Sequence, residues 1–480
     1  MGALLVLLPL LGVVLLNLPL GKLAEKLALP LGGVLCLAQA AVILAAPASF
    51  WDQALFLPGG VSVAELFHAS FPVDSLARVM FLSIATVGFC SGLVAKYTMA
   101  DEQTQFRFAN LLILALAGLN GIILVRDLLG LYVFLEITAV ASFVLIALER
   151  GKAAFDGAFK YLVLSAVATA MIVAGLALLF IVAGSTSFDA VAEALKTSGS
   201  SQLALAAVAF FLCGLAIKAG LVPFHGWLPT AYASAPSAVS VLLAGIVTKT
   251  SGVYTLIRLV DAVFGYGPAV RQVLLVGGLV SIVVGALGAL GQKDMKRMLA
   301  FSSISQMGYV VLGLGAGPGL GLAGAIFHLF NHSIFKTLLF VNSAAVEQQS
   351  GTRDMDKLGG ISAKMPVTGT TSVLAMLSTA GIPPLSGFWS KLLIVAGVWQ
   401  AGHPAFSAAA VIASVLTLAY FLSMQRRVFF GKVADSCAGL KEASAWGLVP
   451  ALLLAAITVG LGVTAPWLFQ TFLLDVGSIL

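Results

Sequence analysis

The sequence predicts an all-α polytopic membrane protein of about 14 transmembrane helices, with two inverted five-helix repeats and two broken helices. Three observations carry this reading. Of 480 residues, 60% are hydrophobic and only 10% charged, whereas soluble domains carry about 25% charged side chains. The apolar runs recur at about 20 residues, the length that crosses a bilayer as a helix. Two of the runs are interrupted, one within 218–240 and one at 381–387. The fifty glycines agree, since small residues let bilayer helices approach closely.

Length and bounding breakers place the spans near 2–20, 28–48, 76–98, 108–126, 128–149, 159–184, 202–222, 238–260, 270–291, 299–316, 319–345, 366–401, 405–430 and 444–470. The first lacks a basic leader and is followed by Lys22 and Lys26, so it reads as a retained helix. The stretch 49–75 holds Pro-Gly-Gly and reads as a short extracytoplasmic hairpin. In the seventh span, Pro223 and Pro229 cannot continue a helix. The twelfth is too long for one straight span, and Gly381-Ile382-Pro383-Pro384 interrupts it. The two breaks lie five spans apart. A repeat of five helices is odd, so its second copy must be inverted. Spans 4–8 and 9–13 are the expected copies: 1–107 is an N-terminal three-helix extension, 108–260 the first repeat, 261–432 the second and 433–480 a C-terminal helix.

The 26 Lys and Arg residues orient the chain. Sixteen fall in odd-numbered loops, five at the margins of even-numbered loops and five inside spans. The positive-inside rule then puts odd loops in the cytoplasm and both termini outside. The basic residues are scattered singly, without a basic stripe interleaved with aromatics, which excludes nucleic acid as a partner. Cys36, Cys90, Cys213 and Cys437 are isolated and show no CxxC, against a metal cluster or disulfide framework. No haem, flavin or quinone motif is visible, so no cofactor is expected in this chain.

Charges at mid-bilayer cost roughly 2.5–3.5 kcal/mol each on insertion scales and persist where they pair, line a wet interior or carry ions. Glu136, Lys160, Lys218, Lys249, Lys336 and Lys391 lie within spans. Each has a plainer alternative. Lys160 can snorkel to the surface, Glu136 can form a structural ion pair, and Lys218 can cap carbonyls freed by the break. His328, His332 and Lys336 fall at i, i+4 and i+8, one helical face. Two histidines one turn apart cannot supply both axial ligands of one iron, and no Glu stands between them as a zincin needs. A titratable stripe passing protons along the helix is the better reading, with a structural hydrogen-bonding face as its alternative. His225, inside the first break, is a further candidate.

The stretches DLLGLYVFLEITAVASFVLIAL, FKYLVLSAVATA, GLAIKAGLVPFHGWLPTAYASAPSAVSVLLAGIVTKTSGVY, MKRMLAFSSISQMGYV, HLFNHSIFKTLLF and AGIPPLSGFWSKLLI run in order from about 110 to 430. Together they make the chain resemble the antiporter-like proton-pumping L, M and N subunits of respiratory complex I. The D-type component of multisubunit Na+/H+ antiporters and the membrane subunits of energy-converting hydrogenases are relatives. The resemblance implies that Glu136 is the fifth-helix carboxylate pairing with Lys218 on helix seven. It implies that Lys249 joins two half-channels, that His328, His332 and Lys336 form a central relay, and that Lys391 is the terminal lysine on broken helix twelve. Lys160 matches the family's sixth-helix FKY lysine. The chain ends without the lateral helix of the L subunit. Its MQRRVFFGK segment looks more like the M subunit, the antiporter D-type component or the hydrogenase relatives than the N subunit.

The function so implied is proton translocation within a redox-driven pump of a prokaryotic inner membrane. Its partners are other membrane subunits, redox subunits carrying iron–sulfur clusters, the lipid bilayer and H+, with Na+ left open. The alternative is a subunit of a Na+/H+ antiporter without redox partners. A self-sufficient transporter or a passive scaffold fits the titratable row poorly.

Overall fold

The computed structural model describes residues 2–19, 21–51, 73–198 and 201–468. The helices, in chain order, are α1 (Leu4–Leu16), α2 (Lys22–Ala45), α3 (Ser75–Thr98), α4 (Glu102–Leu124), α5 (Leu128–Ile146) and α6 (Lys152–Ala183). Next come α7a (Gln202–Ala219), α7b (Trp227–Ser234), α8 (Ser237–Phe264), α9 (Pro268–Leu290), α10 (Met295–Gly315) and α11 (Leu320–Ser350). The series ends with α12a (Pro366–Ala380), α12b (Ser386–Gln400), α13 (Pro404–Phe429) and α14 (Ala445–Leu468). Twelve described helices are long and apolar enough to cross a membrane. The two other expected spans differ: α1 has 13 residues, and α12 is split into halves of 15 each. The expected hairpin at 49–75 lies mostly outside the described residues. A short helix not anticipated, Phe188–Ser198, follows α6.

Local chemistry sets the boundaries. Asp74, Asp101, Asp127 and Asp294 cap α3, α4, α5 and α10 by accepting a backbone N–H of the first turn. Gly220 and Gly381, at φ +67° and +86°, end α7a and α12a in the left-handed conformation that a Cβ disfavours. Pro223 then holds the first break open. Pro229 does not: it stands in the first turn of α7b, where a missing N–H costs no hydrogen bond.

Two backbone bridges expose the internal repeat. Asp127 pairs with Ser187, and Asp294 with Asp354. Both members of the second pair lie 167 positions beyond those of the first. The flanking bonds repeat too: Leu128 N–H to Thr186 C=O and Phe188 N–H to Arg126 C=O in one copy, Met295 N–H to Arg353 C=O and Met355 N–H to Lys293 C=O in the other. Helices α5–α6 and α10–α11 are thus equivalent hairpins. Their bridges stand on even-numbered and odd-numbered loops respectively, as inversion requires.

Burial is uneven. Helices α8, α10 and α11 are almost wholly enclosed, whereas α6 is mostly outward-facing. Helix α11 packs on α3, α8, α10, both halves of α12 and α14, making it the hub that joins the repeats. Glycines allow the tightest approaches. A Cβ on Gly252 of α8 would stand 2.4 Å from Cα of Ala219, and one on Gly324 of α11 would stand 2.7 Å from the Ile394 nitrogen of α12b. These contacts set α8 against the first break and α11 against the helix following the second.

Candidate functional site: a buried row of ionisable groups

Glu136 lies in the third turn of α5 and Lys218 in the last turn of α7a, beside the first break. Their Oε1–Nζ distance is 3.4 Å. The same Glu136 oxygen accepts from Thr169 Oγ1 at 2.5 Å, and Lys218 also reaches Ser165 Oγ at 3.5 Å, both hydroxyls being on α6. Lys218 is buried, while a third of the Glu136 side chain is exposed. The exposed part of Glu136 lies on the same outward face of α5 as Leu129, Val133 and Val140.

Lys249 is wholly enclosed in α8, within a π-helical stretch running Lys249–Tyr254. Such stretches widen the helix and recur at functional positions. Its ammonium donates to the carbonyl of Ala244, and among the described residues no carboxylate is paired with it. Across from α8, helix α11 carries His328, His332 and Lys336, all fully buried. The rings of His328 and His332 stack with centroids 6.3 Å apart. Among the described residues, neither ring nitrogen of His332 has a hydrogen-bond partner, and Lys336 lies one turn further along the same helix. Lys336 donates to Leu299 C=O and Ser302 Oγ on α10, both at 2.9 Å.

The row continues into α12b. His328 Nδ1 and Ser390 Oγ are 2.8 Å apart, and the next residue is Lys391. The Lys391 ammonium donates to the Thr379 carbonyl at 2.8 Å and the Ala380 carbonyl at 3.5 Å. These are the last carbonyls of α12a, freed by the break. It also stands 4.6 Å from the ring centroid of Tyr309, and the same ring lies 6.1 Å from that of His328. Glu136 thus pairs with Lys218 on α7a, and α7a packs on α8, α8 on α11 and α11 on α12b, so that Lys218, Lys249, His332, Lys336, His328 and Lys391 lie on packed neighbours.

Two candidates stand apart. Lys160 is half-exposed on α6 and pairs with Asp156 at 2.9 Å, one turn earlier. Helix α6 begins at Lys152, before the expected start near 159, so Lys160 sits on an outward face and not in the row. His225 lies in the first break with its ring 6.3 Å from Phe301 and its Nδ1 unpartnered.

Sequence reasoning missed a second charged centre. Lys296 was assigned to a loop but lies inside α10 at 1% exposure. Its ammonium is 2.8 Å from Glu347 Oε2, and Ser237 Oγ donates to the same oxygen at 2.5 Å. Arg353 Nε approaches Glu347 Oε1 at 3.5 Å and Asp294 Oδ2 at 3.2 Å. These groups line a cavity of about 700 Å3, and its other lining residues lie in or beside the loops after α3, α5, α7, α9 and α11. All are odd-numbered loops. A cue existed in α10, whose apolar residues fall on every side with Ser and Gln interspersed; a helix without a polar face is an enclosed one. On the opposite side, Asp74 holds Arg258 bidentately at 2.6 and 2.9 Å and Arg126 at 3.2 Å. Although burial works against it, this guanidinium pairing keeps the Asp74 carboxyl below its usual range.

Residues 125–417, more than half the chain, match the family described as NADH:quinone oxidoreductase/Mrp antiporter, transmembrane. The chain belongs to this family. It is 32% identical over 421 residues to the D-type component of the Na(+)/H(+) antiporter of Alkalihalophilus pseudofirmus, covering 86% of this chain and 85% of that one. It is 34% identical over 409 residues to the N subunit of the NADH-quinone oxidoreductase of Desulforudis audaxviator, covering 83% and 81%. Among solved structures it matches the Mrp complex from Dietzia sp. with a TM-score of 0.87 and 26% identity, over 98% of this chain and 95% of that one. The chain is a multi-pass membrane protein of antiporter-like fold.

Proposed function

We propose that this chain is the proton-translocating membrane subunit of a redox-driven ion pump, of the NADH:quinone oxidoreductase or energy-converting hydrogenase kind. The observation that supports this most is the row from the Glu136–Lys218 pair through Lys249 and His332 to Lys391. Odd-numbered loops face the cytoplasm in this reading, and both termini lie outside. Electron transfer takes place in partner subunits, and this chain moves protons with side chains alone. While Glu136 holds Lys218, the lysine charge is compensated. Opening the pair raises the positive potential along α8 and α11 and drives a proton toward Lys391. Separating opposite charges in a poorly screening interior costs several kcal/mol. That is enough to drive one charge against 100 mV, about 2.3 kcal/mol.

The second reading is an Mrp-type antiporter component, favoured by the match to the Dietzia Mrp complex and by the Alkalihalophilus antiporter relative. Purification from the native membrane separates the two. Co-purification with iron–sulfur and quinone-linked proteins is expected for the pump. Recovery with only small hydrophobic subunits and no redox centre would replace it with the antiporter.

A further inference from the structure

We propose that Lys296 and Glu347 form a proton-intake gate at the odd-loop cavity, with Glu347 as the group that takes the proton and Lys296 as its counter-charge. This rests on the reading of the chain as a proton-translocating subunit and assigns that path its first titrating residue.

Geometry carries the argument. Lys296 is almost wholly buried, whereas 30% of the Glu347 side chain is exposed and lines the cavity. The carboxylate can therefore meet water while the ammonium behind it cannot. One oxygen of Glu347 holds both Lys296 and Ser237, the first residue of α8. Lys296 also donates to the Ala235 carbonyl, between α7b and α8, at 3.3 Å. The pair thus latches the start of the helix that carries Lys249, about twelve residues or about 18 Å further on. Between them the Tyr232 hydroxyl meets Thr248 Oγ1 at 2.7 Å, beside Lys249. A clamp serving only to join α10 to α11 needs neither a cavity at its acidic end nor a bond to a third helix.

The charged groups around Glu347 are Lys296 from α10, Arg353 beyond α11 and Glu149 after α5, with Asp294 held by Arg353 and with Lys293 and Asp354 lining the same cavity. Glu149 stands on the rim. Desolvation by the cavity walls raises its proton affinity above the usual carboxylate range, and the Glu347 charge adds to this, against the pull of Lys296 and Arg353. The step is a proton transfer: a hydronium ion in the cavity gives H+ to the Glu347 carboxylate and is left as water, and the carboxylate becomes a neutral acid. Lys296 loses its counter-charge, the hold on Ser237 slackens, and the proton moves on toward Lys249 after that ammonium has released its own, restoring the Glu347 carboxylate.

The test uses the full chain in its native complex, in everted vesicles with the odd-loop face toward the bath. Initial proton uptake is followed with a pH-sensitive dye across a range of bath pH. Glu347→Gln should accumulate normally and slow uptake about a hundredfold, the low end for removal of a positioned proton carrier. Lys296→Met should move the bath-pH half-point upward by about one unit, because a cation beside a carboxylate favours its charged form. Lys296→Arg should restore it. Ser237→Ala keeps both charges and should move the half-point upward by less, which decides the matter if the neutral variants fail to accumulate. Uptake within about twofold of the unmodified chain in Glu347→Gln, or an unmoved half-point in Lys296→Met or Ser237→Ala, overturns the gate alone. No uptake by vesicles holding the unmodified chain overturns both the gate and the reading beneath it.

Discussion

The 167-residue offset between the repeats sets Thr169 of α6 against Lys336 of α11, Ser165 against His332, and Glu136 of α5 against Ser303 of α10. In the first repeat the hydroxyls stand on the second helix of the hairpin and the charge on the first. In the second repeat the charges stand on the second helix, and Ser302 of the first bonds Lys336. The scaffold therefore holds a polar contact between the two hairpin helices in both copies, displaced by one residue on the first helix, while exchanging which side ionises. The broken helices differ in the same spirit. Lys218 faces a full negative charge on Glu136, whereas Lys391 is held by two carbonyl dipoles and a tyrosine face. The first lysine has a partner that can be withdrawn. The second has one that the fold cannot take away.

Breaking the withdrawable pair should have the largest effect. Lys218→Ala or Glu136→Ala is expected to cut proton translocation about a hundredfold while leaving assembly intact. Dye quenching in vesicles and a blue-native gel check the two halves of that statement, and full pumping in both variants would remove these residues from the path. Lys391→Ala should show the reverse balance. It leaves two buried carbonyls without a donor, so a loss of roughly 1–3 kcal/mol in stability is expected, visible as earlier thermal unfolding in detergent. An unchanged melting profile there would erase the contrast between the two lysines. Smallest is Thr169→Val, which deletes one hydrogen bond to Glu136, worth about 1.5–3 kcal/mol to a charged group in general. A several-fold change in rate without loss of assembly is the expected outcome, and an unchanged rate would show that α6 does not tune the pair.

Much of the architecture is readable in the chain because membranes demand it. Apolar length marks the helices, and Pro223 and Pro383 mark the breaks without reference to distant residues. The Glu136–Lys218 pairing is legible only by resemblance, since 82 positions separate its members. Lys296 misled for a physical reason. It stands just after the capping Asp294, where sequence distance suggests a loop, yet the α7b–α8 junction and Glu347 enclose it. Lys160 was open to two readings, and its place on the outward side of α6 beside Asp156 agrees with the snorkelling one. The π-helical turns of α8 leave no local signature either, because they follow from packing against α7a and α11.

The paired bridges have a mechanical consequence. Hairpin α5–α6 is joined covalently at one end and by Asp127–Ser187 at the other, and α10–α11 likewise by Asp294–Asp354. Each hairpin is thereby a closed ring that resists splaying at either end. The two rings make stiff frames set in opposite senses, and compliance is left to the non-helical joints of α7 and α12. Strain transmitted along the molecule during turnover must concentrate at those two joints, each of which has a lysine within reach to feel it.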